Sequence, residues 1–130
     1  MIDIEEVLEI HNFLINEFGG SHGLRDQALL ESALLRPLTT FSGEELYKTP
    51  VEKAAAVFES IVKNHPFQDG NKRIAYVVLR LVLMNSGLDI VSSEEEKYEF
   101  VIKTASGKLM IDEVKKWIGD HIKNIRHPKN

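Results

Sequence analysis

Cysteine is missing from this 130-residue chain. Its absence removes disulfides and thiolate metal sites, and suits a reducing compartment. A surplus of positive charge is missing too: 16 Lys and Arg stand against 20 Asp and Glu, a net charge of −4 with a pI near 5.7. Such a chain lacks the broad positive field that holds a protein on nucleic acid or an anionic membrane. Its longest apolar run, Ala75 to Met84, is interrupted by Arg80 and falls short of the roughly 20 apolar residues that span a bilayer. The opening Met1-Ile2-Asp3-Ile4-Glu5-Glu6 is acidic, unlike the basic start of a signal peptide. There is no internal repeat, no low-complexity tract, and no GxxxxGK, GxGxxG, HExxH or GxSxG string. The histidines at 11, 22, 65, 121 and 127 have no metal-ligand spacing. The hydrophobic content of 43% is that of an ordinary globular protein. The expectation is a small cytoplasmic protein in which residues 1–130 form a single domain, burying roughly two-thirds of its unfolded surface.

What the sequence does contain is a succession of helical patterns. Asp3 and Glu6 make a capping-box pattern, followed by apolar residues at helical spacing as far as Phe18, with Gly19-Gly20 as the stop. Asp26 predicts the cap of a second helix that ends at Pro37. Leu38 to Lys48 has no clean period, and 39–43 reads as an exposed loop or short hairpin. Thr49, Pro50 and Glu52 open a third helix, which should end at His65 because Pro66 disfavours a helical residue before it. A fourth runs from Asn71 to Ser86, apolar nearly all round, and should form the buried centre. Ser93 with Glu96 caps a fifth, and Asp112 a last one bearing Trp117, Ile118, His121 and Ile125, before a frayed tail at 126–130. No strand pair with a turn signal is convincing, so the fold class is all-α around a central buried helix. His11 and His121 fall on apolar helix faces, where the plain expectation is a hydrogen-bonded histidine at the core's edge rather than a ligand.

One segment stands apart: His65-Pro66-Phe67-Gln68-Asp69-Gly70-Asn71-Lys72-Arg73. Taken singly, each residue has a plain account: His-Pro as a helix stop, Asp-Gly-Asn as a turn, Lys-Arg as a solvated first turn. Jointly they conflict with a rule, since a helix N-terminus favours acids and this one begins with two cations. The conflict is resolved if a ligand supplies the negative charge. Gly70 lets a ligand approach the backbone, Asn71 adds donors, and Lys72 and Arg73 add charge, with Arg73 offering the planar fork that grips phosphate oxygens. Asp69 suits Mg2+, which takes one or two carboxylates together with phosphate oxygens and water. Histidine is the residue type suited to accepting a proton from an attacking hydroxyl, which makes His65 the candidate base. Phe67 points into the core and anchors the loop. Base, metal carboxylate and phosphate cradle within nine residues describe a phosphate-transfer site.

At this segment the chain resembles the Fic/Doc family, whose motif reads H-x-F-x-(D/E)-G-N-(G/K)-R; His65, Phe67, Asp69, Gly70, Asn71, Lys72 and Arg73 match it without a gap. The stretches 19–26 and 30–34 resemble the N-terminal half of death-on-curing (Doc-type) toxins. The resemblance implies an all-α fold with a central motif helix and nucleotide-dependent modification of a protein hydroxyl. His65 would be the general base and Asp69 the Mg2+ ligand. Gly70 and Asn71 would belong to the anion cradle, Arg73 would bind phosphates of ATP, and 38–48 would be the family's flap. Lys72 is the branch point, because Fic adenylyltransferases carry a second glycine there and Doc-type members carry Lys, which by the resemblance turns the γ-phosphate towards the base. Tyr76 also stands where adenylyltransferases have a second arginine. Gly70 points the other way, since some Doc proteins have alanine there. An inhibitory sequence of the (S/T)xxxE(G/N) type is missing; Ser92 to Glu96 comes nearest but is followed by Lys97.

The resemblance therefore implies an ATP- and Mg2+-dependent kinase of elongation factor Tu, silenced by a separate Phd-like antitoxin, with no direct nucleic-acid or membrane partner. The runner-up is a protein adenylyltransferase. From another class comes an inactive helical binding module, against which the presence of His65 and Asp69 argues.

Overall fold

A computed structural model of the chain describes residues 2–125. The order of elements is α1 (Ile4–Phe18), α2 (Gln27–Leu35), a 3-10 turn (Arg36–Leu38), β1 (Thr40–Phe41), β2 (Glu44–Glu45), α3 (Pro50–Asn64), α4 (Asn71–Met84), β3 (Leu88–Ile90), α5 (Glu94–Ala105), α6 (Ile111–Asp120) and β4 (Ile122–Asn124). Helices dominate, as the periodicity requires. Asp26 caps α2 by accepting from Leu29 N, while Thr49 with Glu52 and Ser93 with Glu96 form reciprocal capping boxes on α3 and α5. Asp3 caps α1 but accepts from Glu5 N, one residue short of box geometry, so Glu6 is left out.

Three expectations need correction at the C-terminal end. Met110, not Asp112, is the cap of α6: the Glu113 carboxylate reaches back to Met110 N at 2.9 Å, which starts the helix earlier and leaves Asp112 in its first turn. The helix stops at Asp120, so His121 and Ile125 are not on it. Instead Ile122–Asn124 pairs antiparallel with Leu88–Ile90, an extension that Val91 N to His121 O and Ile125 N to Gly87 O carry on at either end. Strands of three residues have no readable period, and their partner lies more than thirty residues away in the chain. The tail at 126–130 lies outside the described residues.

The core forms around the α3–α4 pair. From Ala54 to Val62 every residue of α3 is buried, and Ala54, Ala55, Ala56 and Ala75 have no exposed surface, so small side chains allow the backbones to approach closely. On α4, Ile74, Ala75, Val78, Leu79 and Leu83 are buried, whereas Val77, Leu81 and Val82 are half-buried and Met84 is exposed. The central helix is thus shared, and α3 is the more deeply covered. Phe58, Phe100, Trp117 and His121 stack in series across α3, α5 and the end of α6, with centroids 4.9, 3.9 and 4.0 Å apart. His121 ends the stack and is satisfied by Trp117 O and Glu96.

Arg80 ties α4 to β3 through a fork on Asp89, with bonds of 2.9 and 2.8 Å. The Arg80 bonds, helped by Ile90 N–H, hold the Asp89 carboxyl below its usual range. A carboxyl depressed in the folded state stabilises above its unfolded pKa, about 4, and loses that contribution as pH falls through the folded value. The stability gap between the native protein and Asp89→Asn, measured by urea unfolding, should therefore be full above about pH 4 and shrink as pH drops below it. A gap independent of pH would refute the ion pair's contribution.

Candidate functional site

The site forms where α3 gives way to α4. Pro66 forces the chain out of the helix, and His65 takes the left-handed conformation, with φ 51° and ψ 61°. Few residues other than glycine adopt it, and the surroundings must hold it there. Residues 23–26 do so. Arg25 donates from Nε to His65 O and from a terminal nitrogen to Asn64 O, both at 2.7 Å, placing a cation at the negative end of α3. Arg25 N and Asp26 N both donate to Pro66 O, and Gln68 N donates to Gly23 O. The His65 imidazole is left exposed, with its backbone fastened beneath it.

Asp69 is fastened by its side chain. Oδ2 accepts from Ser21 N at 3.1 Å and Oδ1 from Gly70 N at 2.8 Å. These two N–H groups, Ser21 first, hold the carboxyl below its usual range, so it is an exposed anion at neutral pH. Phe67 is buried as expected and stacks on His11 at 3.7 Å between centroids.

Two residues assigned to the cradle do something else. Both ends of the Asn71 amide are spent on Phe67: Oδ1 accepts from Phe67 N at 2.9 Å and Nδ2 donates to Phe67 O at 3.0 Å. Asn71 is buried and closes the loop, so its side-chain donors do not face an anion; only its backbone N–H belongs to the helix end. Gly70 is left-handed, with φ 74°, and a Cβ there would meet Ile15 Cδ1 at 3.1 Å and His11 Nε2 at 3.5 Å. The space that glycine leaves is filled by α1, not offered to a ligand.

Lys72 and Arg73 stand exposed on the first turn of α4, and among the described residues no carboxylate lies within ion-pair distance of either. Arg73 rests its guanidinium 4.4 Å from the centre of the Phe18 ring, which steadies its charge. Among the described α-helices, α4 alone has neither a side-chain cap nor an acid in its first turn. Its positive end therefore has no acid of its own first turn to offset it. Tyr76, one turn on, is half-buried, with Lys97 of α5 placed 5.2 Å from its ring centre.

Among the described residues no group of three or more His, Asp or Glu is placed to hold a metal. Asp69 is a single carboxylate beside an uncapped helix end, which fits an Mg2+ ion that brings its own phosphate oxygens and water, and does not fit a free-standing metal centre.

Within residues 38–48, Thr40–Phe41 and Glu44–Glu45 pair as a short hairpin. Ser42 and Gly43 both have positive φ, the two-residue turn that matches strand twist. Its base is pinned by Arg36, which donates to Tyr47 Oη, Glu59 and Ser60, and by Lys53, which donates to Glu45 and Tyr47 O. Phe41 at its tip is 77% exposed.

Residues 1–83 match the Fic/DOC family. The chain belongs to the Fic/Doc family. Within it the similarity is to Doc-type members. Over 91 residues the chain is 35% identical to a Mycolicibacterium smegmatis protein named Toxin Doc, a match covering 70% of this chain and 68% of that one. Over 113 residues it is 26% identical to an Escherichia phage P1 protein named Protein kinase doc, covering 87% and 88% of the two chains. The Fic/Doc motif falls on the α3–α4 connection, so the gapless run from His65 to Arg73 was a sound guide to the family.

Arg25 and His11 are among the contributors to the site that local sequence does not reveal. Arg25 had no visible task, because the helix end it caps is 39 residues away in the chain. His11 sits at the edge of the core as its apolar helix face predicts, but its partner, Asp69, lies 58 residues on. Among the described residues no helix is long and apolar enough to cross a membrane.

Proposed function

We propose that this Doc-type chain is a toxin that transfers the γ-phosphate of ATP to a hydroxyl group of a protein. The observation that carries the reading is the acid-free, uncapped start of α4 bearing Lys72 and Arg73, directly after an ionised Asp69 and within the same loop as an exposed His65. The names of the relatives, one a toxin and one a protein kinase, support the same reading. His65 takes the proton of the attacking hydroxyl. The target's hydroxyl oxygen bonds to the γ-phosphorus, the bond from that phosphorus to the β,γ-bridging oxygen breaks, and ADP leaves. The first-turn N–H groups of α4, Arg73 and Lys72 hold the phosphate oxygens. Asp69 would hold Mg2+, which when bound neutralises phosphate charge. By resemblance the target is elongation factor Tu, the silencing partner a Phd-like antitoxin and the compartment the cytoplasm.

Lys72 and the half-buried Tyr76 favour phosphoryl transfer, whereas Gly70 is the residue that favours AMP transfer. Incubation with a cytosolic extract and ATP labelled at either the α- or the γ-phosphate separates the two. Label should pass to protein from the γ position only, and Lys72→Gly should weaken that transfer. Label passing only from the α position would establish adenylylation, and an unchanged rate in Lys72→Gly would refute the orienting role of Lys72.

A further inference from the structure

We infer that His11 is a positioning residue for this reaction: from inside α1 it holds the Asp69–Gly70 peptide, and through it the carboxylate that meets the metal and the first turn of α4. The inference rests on the function proposed above. His11 is 3% exposed, and its Nε2 lies 2.7 Å from Asp69 O. A carbonyl oxygen only accepts, so Nε2 carries the proton in this contact. The same peptide is held at its other end, because Gly70 N donates to Asp69 Oδ1. A peptide unit is rigid, so fixing its C=O and N–H together fixes its plane. With that plane fixed, the Asp69 carboxylate stays between Gly70 N and Ser21 N. If the His11 bond is lost, the plane is free to rotate and the carboxylate loses one of its two N–H partners.

The surrounding packing supports this role. The His11 ring is stacked on Phe67 with 12° between planes, so it cannot swing away from the carbonyl without unstacking. Ile15, one helical turn further along the same face of α1, lies 3.2 Å from the Cβ position of Gly20 and 3.1 Å from that of Gly70. One face of α1 therefore supports both the Asp69–Gly70 peptide and Gly20, the neighbour of Ser21. Groups that orient a metal ligand without touching the metal change metal affinity by about 10- to 100-fold when removed.

Three substitutions separate positioning from plain packing. His11→Phe keeps the stacked ring without the donor; His11→Gln keeps an N–H at about the reach of Nε2; His11→Asn has the same amide on a stem too short to reach. Affinity for Mg-ADP by calorimetry, and the Gly70 amide signal in the nucleotide-free protein by NMR, read the effect without turnover. Thermal melts check that each variant folds. Folded His11→Phe and His11→Asn should bind Mg-ADP about 10- to 100-fold more weakly and shift the Gly70 signal, with His11→Gln restoring most of both. Native-like affinity and an unmoved Gly70 signal in a folded His11→Phe would overturn the inference. So would equal losses in His11→Gln and His11→Asn, the pair that decides the matter if the Phe variant does not fold. Failure of the native protein to bind Mg-ADP would instead overturn the proposed function, which keeps the two apart.

Discussion

His65→Ala should slow transfer by about 10²- to 10⁴-fold while leaving a folded protein. The His65 side chain is exposed, and the loop is held through its backbone: Arg25 on His65 O, and Arg25 N and Asp26 N on Pro66 O. Alanine leaves these bonds in place. It does lose some comfort at φ 51°, where histidine is better tolerated, and a modest fall in melting temperature of a few degrees is the expected stability cost. The catalytic loss is far larger. A positioned general base contributes about 10²- to 10⁴-fold, so transfer of γ-label in single turnover should drop by that factor. Binding of Mg-ADP should be nearly unaffected, because in the proposed arrangement the start of α4 with Lys72 and Arg73 would hold the phosphates and Asp69 the Mg2+, with no part for the base. A transfer rate in His65→Ala equal to that of the native protein would remove His65 from the chemistry.

The second large effect belongs to a residue with no functional group. Gly20 has φ 113°, and a Cβ there would lie 2.7 Å from Asp69 Oδ2, 3.2 Å from Asp69 Cγ and 3.2 Å from Ile15 Cδ1. The Asp69 side chain is short and doubly bonded to N–H groups, while Ile15 is buried, so neither can yield without loss. The least costly relaxation turns the carboxylate away from Ser21 N. Gly20→Ala should therefore lose stability, about 1–3 kcal/mol from backbone strain alone, and should also lose Mg-nucleotide binding and transfer. Gly19→Ala is the control: at φ 88° it carries similar strain, but a Cβ there meets nothing within 4 Å. It should lose stability and keep its activity. Matching activity in the two variants would show that Gly20 serves the turn and not Asp69.

The two variants also mark the boundary between what could be read from residues in order and what could not. His65 is legible because its chemistry travels with its neighbours: proline after it, a carboxylate four residues on, a basic pair at the next helix start. Gly20 is not. Two glycines after an apolar helical run signify a stop, and nothing local distinguishes the one that faces solvent from the one pressed against a carboxylate. Asn71 and Gly70 show the same limit from the other side. Their residue types suit an anion cradle, yet the amide turns inward to Phe67 and the glycine faces α1.

Order along the chain was enough for the first five helices, their caps at Asp26, Thr49 and Ser93, the break at Pro66 and the hairpin region, because each rests on interactions within a few residues, and the ungapped run from His65 to Arg73 was enough for the family. Which groups hold the site rigid was settled by contacts across 39 to 58 residues: Arg25 on Asn64 and His65, Ser21 on Asp69, His11 on the Asp69 carbonyl. Those pairings exist only once α1 and the 23–26 segment are packed against the α3–α4 connection. A side chain's preferences are carried by its own chemistry, but its partner is chosen by the whole chain's burial of apolar surface.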